Sequence, residues 1–227
     1  MAVPIIYREG QARSIASYNY VDLASGTGYV DFYAGKTVDT NRLSANAFWS
    51  DKVCTGTTSV ATTTGYEKQS DVDFDIEFVL PQTVDGKTII NVPIAFHALS
   101  DGAAIGVYCI CKVRKYDGTT ETDLVENQST IIATTNSVIN TTESGIVCVD
   151  VDIPKTTFKG GETLRLTIEL WGSVSAAATS NFFFGHDPKS RTTTNIEDDT
   201  TFDFGTTYQT NTTESNLIFQ VPFRIDL

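Results

Sequence analysis

The sequence is short of basic charge, of histidine and of long apolar runs, and each shortage removes a class of function. Lysine and arginine number 16 against 28 acidic residues, a net charge of −12. Binding to a nucleic-acid backbone needs clustered lysine and arginine to displace counterions, and no such cluster occurs. The same charge opposes attachment to an anionic membrane and favours solubility. No stretch approaches the roughly 18–20 apolar residues of a membrane-spanning helix. The opening Met1-Ala2-Val3-Pro4-Ile5-Ile6-Tyr7-Arg8 has no basic segment followed by a long apolar one, so it does not read as a signal peptide. The expectation is a protein that stays in the cytoplasm where it is made or leaves by lysis or assembly.

The two histidines, His97 and His186, exclude a metal centre built from histidine alone. No GxSxG, HExxH or phosphate-loop pattern occurs. A single methionine, at the start, and few runs of Ala, Leu, Glu and Lys argue against helix. The four cysteines are Cys54, Cys109, Cys111 and Cys148. Cys109 and Cys111 share one face of an expected strand with Val107 and Val113, and side chains standing parallel about 7 Å apart do not readily bridge each other. They read as small buried apolar residues. A metal site on this pair needs further ligands, and the nearest histidine lies on another segment. No metal or cofactor is expected.

What the chain does have is a core. Of 227 residues, 41% are hydrophobic and 11% aromatic, only 19% are charged, and much of the remainder is Thr, Ser and Asn. Beta-branched and aromatic side chains suit pleated, half-buried strands. A β-sandwich commonly takes about 200–250 residues as one domain.

Alternation places the strands. Val72, Phe74, Ile76, Phe78 and Leu80 alternate with Asp71, Asp73, Asp75 and Glu77 over 70–80, and Pro81 ends the run. Val147, Val149, Val151 and Ile153 alternate with Cys148, Asp150 and Asp152 over 145–153, closed by Pro154. Leu164, Leu166, Ile168 and Leu170 define 162–172, and Leu217, Phe219, Val221, Phe223, Ile225 and Leu227 define 216–227. Further strands are expected at 29–34, 88–98, 105–116, 121–125, 129–135, 181–185 and 200–208. Pro93 suggests an edge or a bulge, and Asp117-Gly118 marks a hairpin turn. Residues 50–69 read as a long loop with weak strand character, and 135–144 and 186–213 as further loops. Wet-faced antiparallel strands without helices between them predict an all-β, antiparallel, jelly-roll-like β-sandwich of about ten strands. Residues 1–19 lack periodicity and read as an N-terminal arm before a single domain, 20–227; a frayed terminus is the alternative.

Three constellations invite chemistry. The acidic row Asp71, Asp73, Asp75 and Glu77 could hold a hard cation or supply a glycosidase pair. A straight strand lacks the curvature and carbonyls of a calcium loop, and only Trp49 and Trp171 could line a sugar cleft, so a solvated outer face is expected. His186-Asp187 could orient an imidazole, but no nucleophile motif accompanies it. That segment reads as a structural loop or contact patch, with His186, Asp187 and Arg191 as contact candidates. The triplets at Asn127, Asn140 and Asn211 match the glycosylation pattern by chance in so Asn- and Thr-rich a chain.

Three segments carry a family likeness: Tyr18-Asn19-Tyr20-Val21-Asp22-Leu23-Ala24-Ser25-Gly26-Thr27-Gly28-Tyr29, the stretch from Ile153 to Leu166, and Phe184-Gly185-His186-Asp187-Pro188-Lys189-Ser190-Arg191. In these the chain resembles structural proteins of tailed viruses of bacteria and archaea. The resemblance implies a non-enzymatic β-sandwich subunit of the virion, as capsid decoration, minor capsid, turret or fibre component. It implies as partners further copies of the chain and other virion proteins such as the major capsid protein, and it carries over no catalytic residue. The arm, with Val3, Pro4, Ile5, Ile6, Tyr7 and Arg8, is the expected part that docks on a neighbour. The alternative is a carbohydrate- or receptor-binding jelly-roll module, which needs an aromatic platform drawn from Tyr29, Tyr33, Trp49 or Trp171.

Overall fold

Alternation of apolar and polar side chains builds most of the strands in the computed structural model, which describes residues 26–61, 65–175, 178–189 and 215–224. Among these residues there are twelve strands and no helix. In chain order they are β1 (Thr27–Lys36), β2 (Asn41–Ser44), β3 (Cys54–Val60), β4 (Glu67–Glu77), β5 (Gln82–Ala98) and β6 (Ile105–Tyr116). They continue as β7 (Glu121–Gln128), β8 (Ile132–Thr134), β9 (Thr142–Phe158), β10 (Thr163–Val174), β11 (Ser180–Gly185) and β12 (Leu217–Arg224).

Hydrogen-bonded neighbours run β3-β11-β5-β12-β1-β2-β4-β10-β6-β7, with β9 on the free side of β5 and β8 beside β6. Every pairing is antiparallel except one parallel bridge, Arg42 with Asp75, which joins β2 to β4. That bridge divides the path into two layers. β5 touches β6, β7 touches β9 and β10 touches β11 without pairing, so the layers meet face to face. Between them lies one apolar cluster, including Ile90, Val92 and Ile94 from β5, Val107, Cys109 and Cys111 from β6, and Leu164, Leu166 and Ile168 from β10. The architecture is an all-β, sandwich-like and jelly-roll-like fold, as expected. Cys109 and Cys111 lie fully buried among valines, as their shared face with Val107 and Val113 predicts.

Several boundaries differ from the sequence reading, each for a physical reason. β9 does not stop at Pro154. Its pairing with β5 shifts between Val84 and Gly86, whose partners are Thr156 and Ile153, so Pro154 and Lys155 together face Asp85 alone. A bulge of this kind accommodates a residue that cannot donate to the ladder. Pro93 lies within a central strand. It falls between Asn91, where β12 pairing ends, and Ile94, where β11 pairing begins. On β4 the buried alternation ends at Phe78, and Leu80 is exposed in the turn. β2 and β3 arise in stretches without an apolar rhythm, where pairing with β1 and β11 decides. The arm, the expected strand at 200–208, and Ile225 and Leu227 lie outside the described residues.

Close approach of β10 to β11 requires a glycine. A methyl group at Gly172 would sit 2.6 Å from the ring of Phe182, which is itself fully buried. We expect Gly172→Ala to lower the unfolding free energy by about 1–3 kcal/mol in a urea titration, because the ring has nowhere to move. An unchanged midpoint would contradict this packing.

Candidate functional site

The outer face of β4, β10, β6 and β7 carries an ionic ladder set by strand register. Asp75, Asp73 and Asp71 lie opposite Arg165, Thr167 and Glu169, and these in turn lie opposite Arg114, Lys112 and Ile110. Arg165 grips Asp75 through two bonds of 2.7 Å and reaches Glu121 at 2.8 Å. Thr167 donates to Asp73. Arg114 bridges to Glu121 at 3.1 Å and to Asp123 at 2.8 Å. The acidic row is therefore an outer face, as expected, and this chain's own cations hold Asp71, Asp73 and Asp75: Lys68 the first, Arg114 and Arg165 the other two. Among the described residues no cluster of His, Cys, Asp and Glu has metal-ligand geometry.

At its far end the ladder meets a row of aromatic rings. Trp171 pairs across the strands with Tyr108. Their rings are parallel within 3° with centroids 6.1 Å apart, and Tyr66 packs on Tyr108 at 5.0 Å. A bulge makes this possible. Leu170 pairs with Ser70 but Trp171 with Lys68, which leaves Gln69 as an extra residue in β4. Side chains alternate along a strand, so the extra residue changes the parity. Before Gln69 it is the even-numbered Tyr66 and Lys68, rather than odd-numbered residues, that share the face of Asp71 and Trp171.

Glu169 stands where the ladder and the ring row join. Its side chain is only 6% exposed. It accepts bonds from Lys112 at 3.0 Å, Lys68 at 3.3 Å and the Trp171 indole at 3.1 Å. Burial pushes its carboxyl up, but these donors outweigh burial and leave it below the ordinary glutamate value. Burial, with Tyr66 and Glu169 adding to it, raises the Tyr108 hydroxyl above the ordinary tyrosine value.

An open groove of about 680 Å³ runs over β5 and β9 of the other layer and reaches β7 of this one. Tyr29, Lys87, Ile89 and Gln220 line one part of it, and Glu126, Asn127, Asp150 and Asp152 another. The four aromatic residues expected to form a platform are thus dispersed. Tyr29 lies in this groove, Tyr33 is half-buried on the same strand, Trp49 stands exposed in the β2–β3 connection, and Trp171 belongs to the opposite layer. The partners Trp171 does have, Tyr108 and Tyr66, went unnoticed in the sequence. The signal for Tyr108 is strand alternation, which turns it away from the buried Val107 and Cys109 on β6. The bulge that aims Tyr66 left no sequence signal.

The contact candidates His186 and Asp187 are not on the surface. Both are fully buried, because the aromatic strand β11 runs inward and carries the chain with it. His186 packs against the rings of Phe74 and Phe184, and its Nε2 lies 2.9 Å from the Thr55 hydroxyl. The residues that follow β11 are packing residues. Arg191 and Val3 to Arg8 lie outside the described residues.

No protein-family model and no curated protein matches the sequence. Solved structures do match the fold. An aminopeptidase from a marine sediment archaeon, Thaumarchaeota archaeon, superposes with a TM-score of 0.50 at 8% identity, over 88% of this chain and 37% of that one. A CocE/NonD family hydrolase from Staphylococcus aureus gives 0.44 at 11% identity, over 86% of this chain and 36% of that one. The structure of the Gt strain of infectious bursal disease virus gives 0.31 at 8% identity, over 88% of this chain and 37% of that one. The chain spans little more than a third of the length of these proteins. At 8% identity the likeness to the aminopeptidase is one of fold alone.

Burial lowers the His186 imidazole to about 4, and Lys52 adds to the effect. The unfolded chain takes up this proton near pH 6.5 and the folded chain only near 4, so folding stability falls as pH drops through that window. The loss attributable to this side chain is about 3 kcal/mol. We expect His186→Gln, which can keep a bond to Thr55, to flatten that part of the stability profile in urea titrations between pH 7 and pH 4. A profile as steep as the parent's would contradict the assignment.

Proposed function

We propose that the chain is a non-enzymatic structural subunit of a virion, acting through contacts with its own copies and with other particle proteins such as the major capsid protein. The observation that carries this reading is the set of large apolar side chains left exposed at both ends of the sandwich. Val79 (86% exposed) and Leu80 (56%) form the turn before β5. Val138 and Ile139 are exposed just before β9, which pairs with β5 over its whole length from Gln82–Phe158 to His97–Thr142. A pair of strands of 17 residues each separates the two apolar tips by roughly 50 Å. Exposed apolar groups of this size commonly mark protein–protein contact, and unlike patches at opposite ends suit repeated, head-to-tail packing of identical copies.

The residue types that serve catalysis support the same reading by their location. His97, His186, Asp187, Cys54, Cys109 and Cys111 are all buried in packing. The exposed acids Asp73, Asp75 and Glu121 are bound to Arg114 and Arg165. The family likeness of the sequence supplies the virion, and with it a site of action in the particle after synthesis in the host cytoplasm. In this reading residues 1–19 form the arm that docks on a neighbour.

Two outcomes follow. A chain lacking residues 1–19 remains folded by circular dichroism but is missing from purified particles; normal incorporation would sink the arm assignment. The double substitution Val79→Ser, Leu80→Ser leaves the thermal transition unchanged and weakens self-association in sedimentation velocity. Self-association equal to the parent's would show that this tip is not a contact.

A further inference from the structure

The row of rings beside Glu169 has a geometry that the ionic ladder does not need. Cross-strand aromatic pairs stabilise sheets, and Trp171 with Tyr108 does so here. Tyr66 is different. It lies at the edge of the sandwich, more than a third exposed, on a segment turned outward only by the Gln69 bulge. Its hydroxyl rests over Gly106, where any side chain would collide with it. Bulges beside sites typically re-aim a side chain, and this one brings a ring and an ammonium group, Tyr66 and Lys68, to the same patch.

We propose that Tyr66, Tyr108 and Trp171 form a binding platform for a neutral pyranose glycan. Aromatic faces are electron-rich, so they attract the electropositive C–H face of a sugar ring. Tyr66, tilted 55° to Tyr108 and the most exposed of the three, offers the ring that a sugar unit meets first, backed by the stacked Tyr108 and Trp171. Hydrogen-bonding groups for the hydroxyls stand at the border: the Lys68 ammonium and the Asp71 carboxylate 3.0 Å from it. The platform is preorganised. The Trp171 indole is held by Glu169, and Glu169 by Lys112 and Lys68, so little side-chain freedom is lost on binding. The charge of −12 on the whole chain disfavours sulfated or sialylated ligands, which selects a neutral glycan. A protein partner fits this patch less well. An interface of ordinary size covers about 800 Å² per partner around an apolar centre, whereas these rings run directly into the charged ladder.

The test uses the full chain carrying Trp49→Phe, so that Trp171 is the remaining indole. Neutral oligosaccharides, a glucose hexamer and an N-acetylglucosamine hexamer among them, are first surveyed on a glycan array and then titrated while Trp171 fluorescence is followed. We expect a saturable change with at least one neutral glycan. Tyr66→Ala, whose ring is the most exposed of the three, weakens that binding by about threefold to tenfold with an unchanged thermal transition. Trp171→Phe, which loses the bond to Glu169 but keeps a ring, weakens it less, as read on the glycan array because no indole then remains to follow. Absence of saturable binding to every neutral glycan overturns the proposal. So does binding that Tyr66→Ala leaves intact, or a Tyr66→Ala variant whose only change is weaker association with its own copies. Because the measurement needs no particle, its failure leaves the assembly reading standing.

Discussion

A single pairing, that of β5 with β9, sets the frame for the rest of the molecule. Both strands have 17 residues and they pair from end to end, interrupted only by the bulge at Pro154. The opposite edge of β5 is then shared. Its first half receives β12 and, through β12, β1 and β2; its second half receives β11 and β3. Pro93 sits where one partner gives way to the other. A register slip of one residue in β5 would exchange Val84, Ile90 and Val92 for Asp85, Lys87 and Ile89 on the core face. With the wrong face inward the second layer, β4, β10, β6 and β7, would lose the surface it packs on.

Much of this was legible in the sequence where a strand buries one face and wets the other. In β6 and β10 apolar residues alternate and the expected and observed strands agree closely, including the Asp117-Gly118 hairpin, whose Gly118 takes a positive φ of 97°, whereas in β4 and β9 the alternation locates the strand but not its ends. The rhythm fails where burial is two-sided or where pairing overrides composition. β11 is buried on both faces, so its direction into the core, which carries His186 and Asp187 out of solvent, is not encoded in any alternation. β3 is a threonine-rich strand held by β11 and reads as a loop alone. The Gln69 bulge, on which the ring row depends, is a property of two strands together. Neither β4 nor β10 reveals it in isolation.

The two outer surfaces divide their tasks. The ladder around Arg165 neutralises carboxylates that would otherwise repel one another along β4, and it joins four strands through side chains as well as backbone. Individual exposed pairs of this kind are each worth little, roughly 0–1 kcal/mol, but a connected network fixes register and discourages the sheet from accepting a foreign strand. The apolar tips lie outside that network, at the turn before β5 and the loop before β9. A surface that is strongly charged along its flat side and apolar at its ends favours contact at the ends, which is the pattern that an assembling subunit requires.

Assembly into a particle is therefore the central claim, and its most direct measurement is quantitative mass spectrometry of purified particles from an infected culture. The account predicts that the chain co-purifies with the major shell protein at a constant molar ratio through successive density gradients, as a symmetry-related position demands. A chain abundant in the lysate yet absent from the particles, or present at a ratio that falls with each gradient, would contradict it.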